Sequence, residues 1–428
     1  MSIDSIVTQV IAAVAVVIGL SYVAGQLFRR IRQPEVIGQL LTGIALGPSL
    51  LGRFAGGVSH ALFPAKVVPY LTVTSQVGLV LFLFAVGYEI DLRLLRGQRT
   101  TVPVLTSLAF GVPAALGIVS VYVFEQLYQA VGEPSADSIP FVLFMGVAIS
   151  VTAVPVLAAI IDERSLAATV PGATAMASAA LIDALDWVLL AGVLVIAGVS
   201  SRAHRSWVLL LLLLAVYIAT AIFIVRPLLL RWLRRPAPDV ASNVPIAVAV
   251  AMGSAWATAE LGLHVIFGAF LAGVIMPRQQ DGTADPDLLR PLLQVGRLLL
   301  PIFFVVSGLA VNIGMLHAKD FELLGVLCGI AIVGKVGAGF AAGMLTKLGK
   351  RDSLMIGVLL NARGLTELVA LNVGLEAGII HQRLYTILVV MAIVMTVLTG
   401  PLLTMAGWLK LPTADASPPP MVPDAAWH

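Results

Sequence analysis

The chain has 428 residues, 59% of them hydrophobic and only 11% charged, with a formal net charge of +3. A soluble domain carries roughly 25% charge, so a water-facing globule is excluded and the bilayer is the solvent for most of the chain. The basic residues sit in short loops, a pattern of membrane orientation and not of nucleic-acid binding. The single cysteine, Cys328, lies in an apolar run and reads as a small buried apolar residue with no intrachain disulfide.

The chain opens MSIDSIVTQV, with an acid and no base. A signal peptide starts with positive charge, so the first apolar run is expected to be a retained span. Apolar runs of about 20 residues predict about 13 transmembrane helices. Their bounds are 8–28, 34–52, 70–88, 101–125, 139–161, 170–199, 206–230, 242–260, 264–277, 291–313, 321–346, 353–376 and 382–409. The ninth is short, and the eighth and ninth together also read as one kinked hairpin. With the N-terminus outside, the inner loops collect Arg29, Arg30, Arg32, Arg93, Arg96, Arg99, Arg231, Arg234, Arg235, Lys347, Lys350 and Arg351, and the outer loops hold few bases. That asymmetry predicts an N-out, C-in protein with an odd number of spans. The tail after Pro412 is proline-rich and reads as disordered over 412–428. No Gly-x-Gly-x-x-Gly unit follows the last span, so no nucleotide-binding domain is expected in this chain.

Several charged or helix-breaking residues fall inside these spans. Residues 146–161 read GVAISVTAVPVLAAII, with Pro155 interrupting a helix and Ser150, Thr152 and the backbone near Val154 available as oxygen ligands. A simple proline kink is the competing reading. Residues 171–200 are long enough to cross a bilayer, and their only charges are Asp183 and Asp186. A carboxylate at such depth costs about 2.5–3.5 kcal/mol on insertion scales and marks a functional site. Residues three apart share a helix face. Lys335 lies mid-span in IVGKVGAGF, and a lysine there calls for a carboxylate, with Asp183 or Asp186 the natural partner. In NARGLTEL, Arg363 and Glu367 are spaced to pair along one face, around a break at Gly364. The pair reads as a structural ion pair and as compensation for the dipole ends of a broken helix, two compatible roles.

The remaining signals are weaker. Glu89 and Asp91 read as solvated, and Glu260 and His264 as surface groups. Arg226 and Arg297 read as snorkelling, and Phe82, Phe84, Phe303 and Phe304 as packing or lipid contacts.

In order along the chain come QPEVIGQLLTGIALGPSLLG, GLVLFLFAVGYEIDLRLLR, GVAISVTAVPVLAAII, ALIDALDW, HVIFGAFLAGVIMP, LPIFFVVSGLAVNI, IVGKVG and LNARGLTELVALN. This ordered set resembles the second branch of the monovalent cation:proton antiporter superfamily over roughly residues 8–409. The resemblance implies an all-α integral membrane protein with inverted repeats and two crossing broken helices. It further implies a panel or dimer domain (1–100), a core domain (101–200), a linker helix with the rest of the panel (201–319) and the rest of the core (320–411). It also implies a homodimer in the inner or plasma membrane. The family's ion-binding aspartate aligns with Asp183 and its lysine with Lys335. One departure stands out. Counting back from Trp187, the residue before the aspartate is Ile182, where the family has a polar or acidic residue. Asp186 is the local candidate to replace that partner.

These residues predict exchange of a monovalent cation, sodium or potassium, for protons, by alternating access with Asp183 holding one or the other. No cofactor is expected, and no metal beyond the monovalent cation. Two other readings stay open. One is a proton-coupled exporter of a small organic metabolite or ionophore, motivated by Ile182. The other is a membrane-embedded enzyme using Asp183 and Asp186 as an acid–base pair.

Overall fold

The computed structural model describes residues 3–31, 33–54, 57, 62–64, 66–89, 100–164, 166, 169–198, 207–233, 243–261, 265–279 and 282–408. Asp91, His264 and the 412–428 tail lie outside the described residues, as do many of the loop arginines used for orientation. The helices are α1 Ile3–Arg30, α2 Glu35–Leu46, α3 Val68–Glu89, α4 Thr101–Val123, α5 Ile139–Ser150, α6 Val154–Glu163 and α7 Val170–Ile196. Next come α8 Trp207–Thr220, which runs through a π-turn into Arg226–Leu233, then α9 Val244–Glu260, α10 Val265–Ile275 and α11 Pro286–Leu309. The last four are α12 Ala318–Leu345, α13 Lys350–Leu360, α14 Leu365–Glu376 and α15 Gln382–Trp408. Among the described residues, 9 helical segments are long and apolar enough to cross a membrane, and α13 with α14 passes as a pair bent by 40°. Helices α5, α9 and α10 are apolar but shorter. The elements fall in the order of the predicted runs, except that the runs at 139–161 and 353–376 are each two half-helices.

Local chemistry sets several boundaries. Thr169 caps α7, its hydroxyl accepting from Gly172 N at 3.2 Å, and Pro171 stands in the first turn where no amide bond is lost. Asp285 caps α11, accepting from Asp287 N at 3.1 Å. At the start of α12, Asp320 accepts from His317 N at 2.7 Å as part of a capping box.

The helices pack in two groups. Helix α11 lies along α3 and α2, with α1 on α2 and α10 between α3 and α9. Without a hydrophobic driving force between helices in lipid, close approach through small residues holds such contacts. A Cβ on Gly308 would lie 2.7 Å from Gly43 Cα, so α2 and α11 meet backbone to backbone only because both are glycine. Phe82, Phe84, Phe303 and Phe304 are buried in this group and serve packing. In the second group, α7 packs on α4, α5 and α13, α12 on α13 and α4, and α15 on α12 and α13.

Polar side chains stitch the seam between the groups at the end of α11. Asn372 of α14 donates to Ser307 Oγ at 2.8 Å, and Tyr385 of α15 sits 3.1 Å from Ser307 O and 3.2 Å from Asn372 Oδ1. Gln382 donates to Ala310 O, and Asn312 N to Thr386 Oγ1 at 3.3 Å. The same face carries two buried carboxylates tied to α15 and the residue before it. Glu133 accepts from His381 N at 3.0 Å, and Asp320 accepts from Arg383 Nε at 2.8 Å.

Candidate functional site

Two interrupted helices cross in the second group. Helix α5 stops at Ser150, residues 151–153 are non-helical, and α6 starts at Val154. Pro155 is therefore the second residue of a new half-helix, where its missing amide costs no ladder bond. Helix α13 stops at Leu360, and α14 starts after Gly364. Gly364 has φ +157°, and a Cβ there would come within 2.5 Å of Val156 Cγ2, so only glycine lets the second break lie against α6. The two breaks are joined directly: Ala153 N donates to Ala362 O at 3.0 Å and Thr152 Oγ1 to Leu360 O at 3.0 Å.

A helix that ends inside a membrane leaves its last carbonyls without partners. For α5 these are taken up by cations. The buried guanidinium of Arg363 donates to Ala148 O at 3.0 Å and to Ile149 O at 2.8 Å, and Lys335 Nζ donates to Ser150 O. Arg363 also pairs with Glu367 Oε1 at 2.7 Å, both side chains fully buried. Glu367 lies in the first turn of α14, where the helix dipole favours a negative charge. The pair expected from the spacing forms; Arg363 also meets the end of the first broken helix, and Glu367 stands at the start of the second.

Lys335 sits in a π-turn, Val333–Gly337, that interrupts α12. Such turns are rare and often functional, since the extra residue re-aims the side chains around it. Lys335 donates to Thr152 Oγ1 at 2.6 Å besides the Ser150 carbonyl, and not to either aspartate. The expected direct pairing with a carboxylate is replaced by an indirect one. Ser150 Oγ lies 2.8 Å from Asp186 Oδ1, so the lysine and Asp186 meet through one serine. The cause is the uncapped end of α5, which presents a carbonyl nearer to the ammonium than either carboxylate.

Asp183 and Asp186 lie on α7 and both are buried. They open on one cavity with Trp187, Thr366, Val147 and Ala370 in its wall. Trp187 and Thr366 stand beside Asp183. Yet both oxygens of Asp183, Asp186 Oδ2, Thr366 Oγ1 and Trp187 Nε1 are buried and form no hydrogen bond. Trp187 also meets Phe267 of α10 edge-on at 6.0 Å, across the seam. Thr366 was not singled out by the sequence; its one signal is a hydroxyl in the first turn after the Gly364 break.

The other expected ligands are placed as follows. Ser150 and Thr152 are buried at the first break, with hydroxyls already engaged as above. Val154 opens α6, so its carbonyl points along that half-helix, away from the gap. Ile182 is fully buried in an apolar cluster with Ala179, Leu359 and Ala362 and does not line the cavity.

A family model described as sodium/hydrogen exchanger, transmembrane, matches residues 12–408. The chain belongs to the sodium/hydrogen exchanger family. Among the proteins to which it is similar, the Na(+)/H(+) antiporter NhaS4 of Synechocystis sp. is 35% identical over 408 residues, covering 92% of this chain and 96% of that one. Cation/H(+) antiporter 20 of Arabidopsis thaliana is also 35% identical over 408 residues, covering 91% of this chain and 47% of that protein. The chain spans about half the length of the plant relatives it matches. In fold it is similar to the sodium proton antiporter MjNhaP1 of Methanocaldococcus jannaschii, with a TM-score of 0.69 at 14% identity, covering 94% of this chain and 97% of that one. Membership of this exchanger family makes the chain an integral, multi-pass membrane protein, in keeping with its apolar helices.

Proposed function

We propose that the protein exchanges a monovalent cation for a proton across the membrane, with Asp183 as the shared site. The observation that carries this reading is the state of Asp183: a carboxylate with both oxygens buried and unpartnered, on a cavity beside two helix breaks. A charge so placed needs a counter-ion, and a proton and a small cation compete for the same oxygens. Sodium/proton exchange by a relative that matches this chain nearly end to end supports the same reaction here.

The charge accounting favours one cation for one proton. Lys335 offsets Asp186 through Ser150, and Arg363 offsets Glu367, in both halves of the cycle. Asp183 is then the one carboxylate of the crossing left to bind and release. The second packing group, α4 to α7 with α12 to α15, is the moving core, and α1 to α3 with α9 to α11 the panel it moves against. The seam between them is crossed by side-chain hydrogen bonds that break and re-form at modest cost. We assign the panel as the surface of a homodimer, in a plasma or inner membrane with the N-terminus outside. Ile182 packs away from the cavity, so its apolar character gives no reason to replace the cation by an organic cargo.

The test is proton flux in proteoliposomes on addition of sodium and then potassium, for wild type and Asp183→Asn. Cation-driven flux that vanishes in the variant is expected. Flux of normal rate in Asp183→Asn sinks the assignment.

A further inference from the structure

Helix α11 ends at the seam, and the last turn of this panel helix is capped by side chains of the core. Ser307 O accepts from the Tyr385 hydroxyl at 3.1 Å, and Ala310 O from the Gln382 side-chain amide. Asn372 Nδ2 donates to Ser307 Oγ at 2.8 Å. Its other N–H meets Leu368 O at 2.9 Å, which fixes the amide, because a flipped oxygen would face that carbonyl. Elsewhere on the seam, Trp187 and Phe267 meet ring against ring at 6.0 Å. The polar ties thus gather where α11 ends.

Their strengths are unequal. On the core side, carboxylates hold the start of α15. Arg383 Nε donates to the fully buried Asp320 at 2.8 Å, and His381 N donates to Glu133 at 3.0 Å. Arg383 Nη1 adds a bond to Ala130 O at 3.1 Å. On the panel side, Gln382, Tyr385 and Asn372 make neutral bonds. A hydrogen bond with an ionised partner is roughly twice as strong as a neutral one. When the two groups part, the neutral bonds therefore give way and α15 leaves with the core. The connector after α11 stays with the panel, since Ser49 donates to Val311 O at 2.8 Å and accepts from Ile313 N at 3.0 Å. The tie of that connector to the core, Asn312 N to Thr386 Oγ1, is longer at 3.3 Å. Carbonyls bared in lipid are costly, so Ser307 O and Ala310 O are released only into water. Parting at this end is opening to solvent.

Resting on the exchange reading above, we propose that Asn372, Gln382 and Tyr385 form a latch that shuts the seam where α11 ends and opens in each transport cycle. Asn372 is its positioning residue. Helix α14 turns Thr366 and Ala370 to the cavity, and Asn372 stands about 200° round the helix from Ala370. The latch thus sets where that cavity wall stands relative to the panel, without being part of the wall.

The experiment uses the full chain with Cys328→Ala, which removes its single cysteine. In proteoliposomes, Ser307→Cys with Asn372→Cys is oxidised to a disulfide. Cation-driven proton flux is expected to be lost and to return on reduction, while each single cysteine variant ignores the oxidant. Flux that continues in fully cross-linked protein overturns the latch. Labelling of Ser307→Cys by a membrane-impermeant maleimide, in right-side-out and inverted vesicles, decides the matter if the disulfide does not form. Labelling is expected from one side only, and roughly tenfold faster once Gln382→Ala and Tyr385→Phe remove two of the bonds. No acceleration, or equal labelling from both sides, overturns the proposal. Failure of the exchange reading looks different: wild type then has no cation-driven flux, and the labelling, which needs none, still judges the latch.

Discussion

Lys335 rests on the carbonyl of Ser150, and the hydroxyl of that same serine donates to Asp186. One residue at the end of a half-helix thereby links a buried cation to a buried anion that it does not touch. The lysine is a helix cap first and a charge partner second. Replacing it with glutamine separates the two roles. Lys335→Gln keeps a donor for Ser150 O, so the loss of unfolding stability stays below the roughly 1–3 kcal/mol expected of Lys335→Met, which orphans that carbonyl. Both variants leave Asp186 uncompensated. Flux measured under a clamped membrane potential is then expected to become voltage-dependent in both.

Arg363 and Glu367 form a fully buried pair at 2.7 Å. Removing one partner of such a pair strands a charge in the interior and costs about 3–5 kcal/mol. Arg363 has further obligations at Ala148 O and Ile149 O. Arg363→Met is therefore expected to lower the unfolding temperature more than Glu367→Gln does. The double variant is expected to recover part of the Arg363→Met loss, since the stranded carboxylate is gone, but not all of it, since the two carbonyls remain without donors. Detergent unfolding curves of the three proteins check the order.

At the seam, the Tyr385 hydroxyl sits within hydrogen-bond reach of Ser307 O and Asn372 Oδ1. Tyr385→Phe removes that hydroxyl and leaves the ring's packing in place. A loss of about 1 kcal/mol is expected for a buried neutral hydrogen bond. Because the bond joins the two packing groups, the loss is expected to speed their relative motion. Maximal flux then rises or holds while thermal stability falls; a variant with unchanged stability would show that the hydroxyl contributes nothing at the seam.

Glu133 lies outside the membrane-spanning helices, and burial pushes its carboxyl above the ordinary glutamate value, with the His381 amide and ring opposing the rise. The folded protein therefore holds the Glu133 proton to higher pH than the unfolded chain does. The corresponding stability is present below the ordinary value and is lost as pH rises through the raised one. Glu133→Gln is neutral throughout. Its stability relative to wild type is expected to increase as pH climbs from the ordinary glutamate range, 4.5, through the raised value. Unfolding of both proteins across that range, monitored at fixed salt, gives the slope directly.

Parts of this arrangement are legible in the sequence because they depend on short spacings. Arg363 and Glu367 are one helical turn apart, and their pairing follows from the period of the helix. Pro155 announces a break by its backbone restriction and Gly364 by its backbone freedom. Asp183 and Asp186 stand out because nothing else charged lies in their span. The partner of Lys335 was not legible. It depends on a π-turn that no residue type signals and on a helix end 185 positions away. Thr366 carries no sequence mark either, since a threonine in an apolar span is equally suited to bond its own helix backbone. The seam joins Ser307 to residues 65 and 78 positions away, beyond the reach of any periodicity.

The last carbonyls of α5 belong to residues 148–150, and the side chains that receive them are residues 335 and 363. During synthesis the first broken helix leaves the ribosome nearly two hundred residues before its caps exist. Until then, its end has to be kept wet, or held by the insertion machinery, because bare carbonyls are poorly tolerated in lipid. Residues 335 and 363 therefore complete the earlier half of the protein as well as their own. A truncated chain ending before them is expected to remain a substrate for quality control, however apolar its helices.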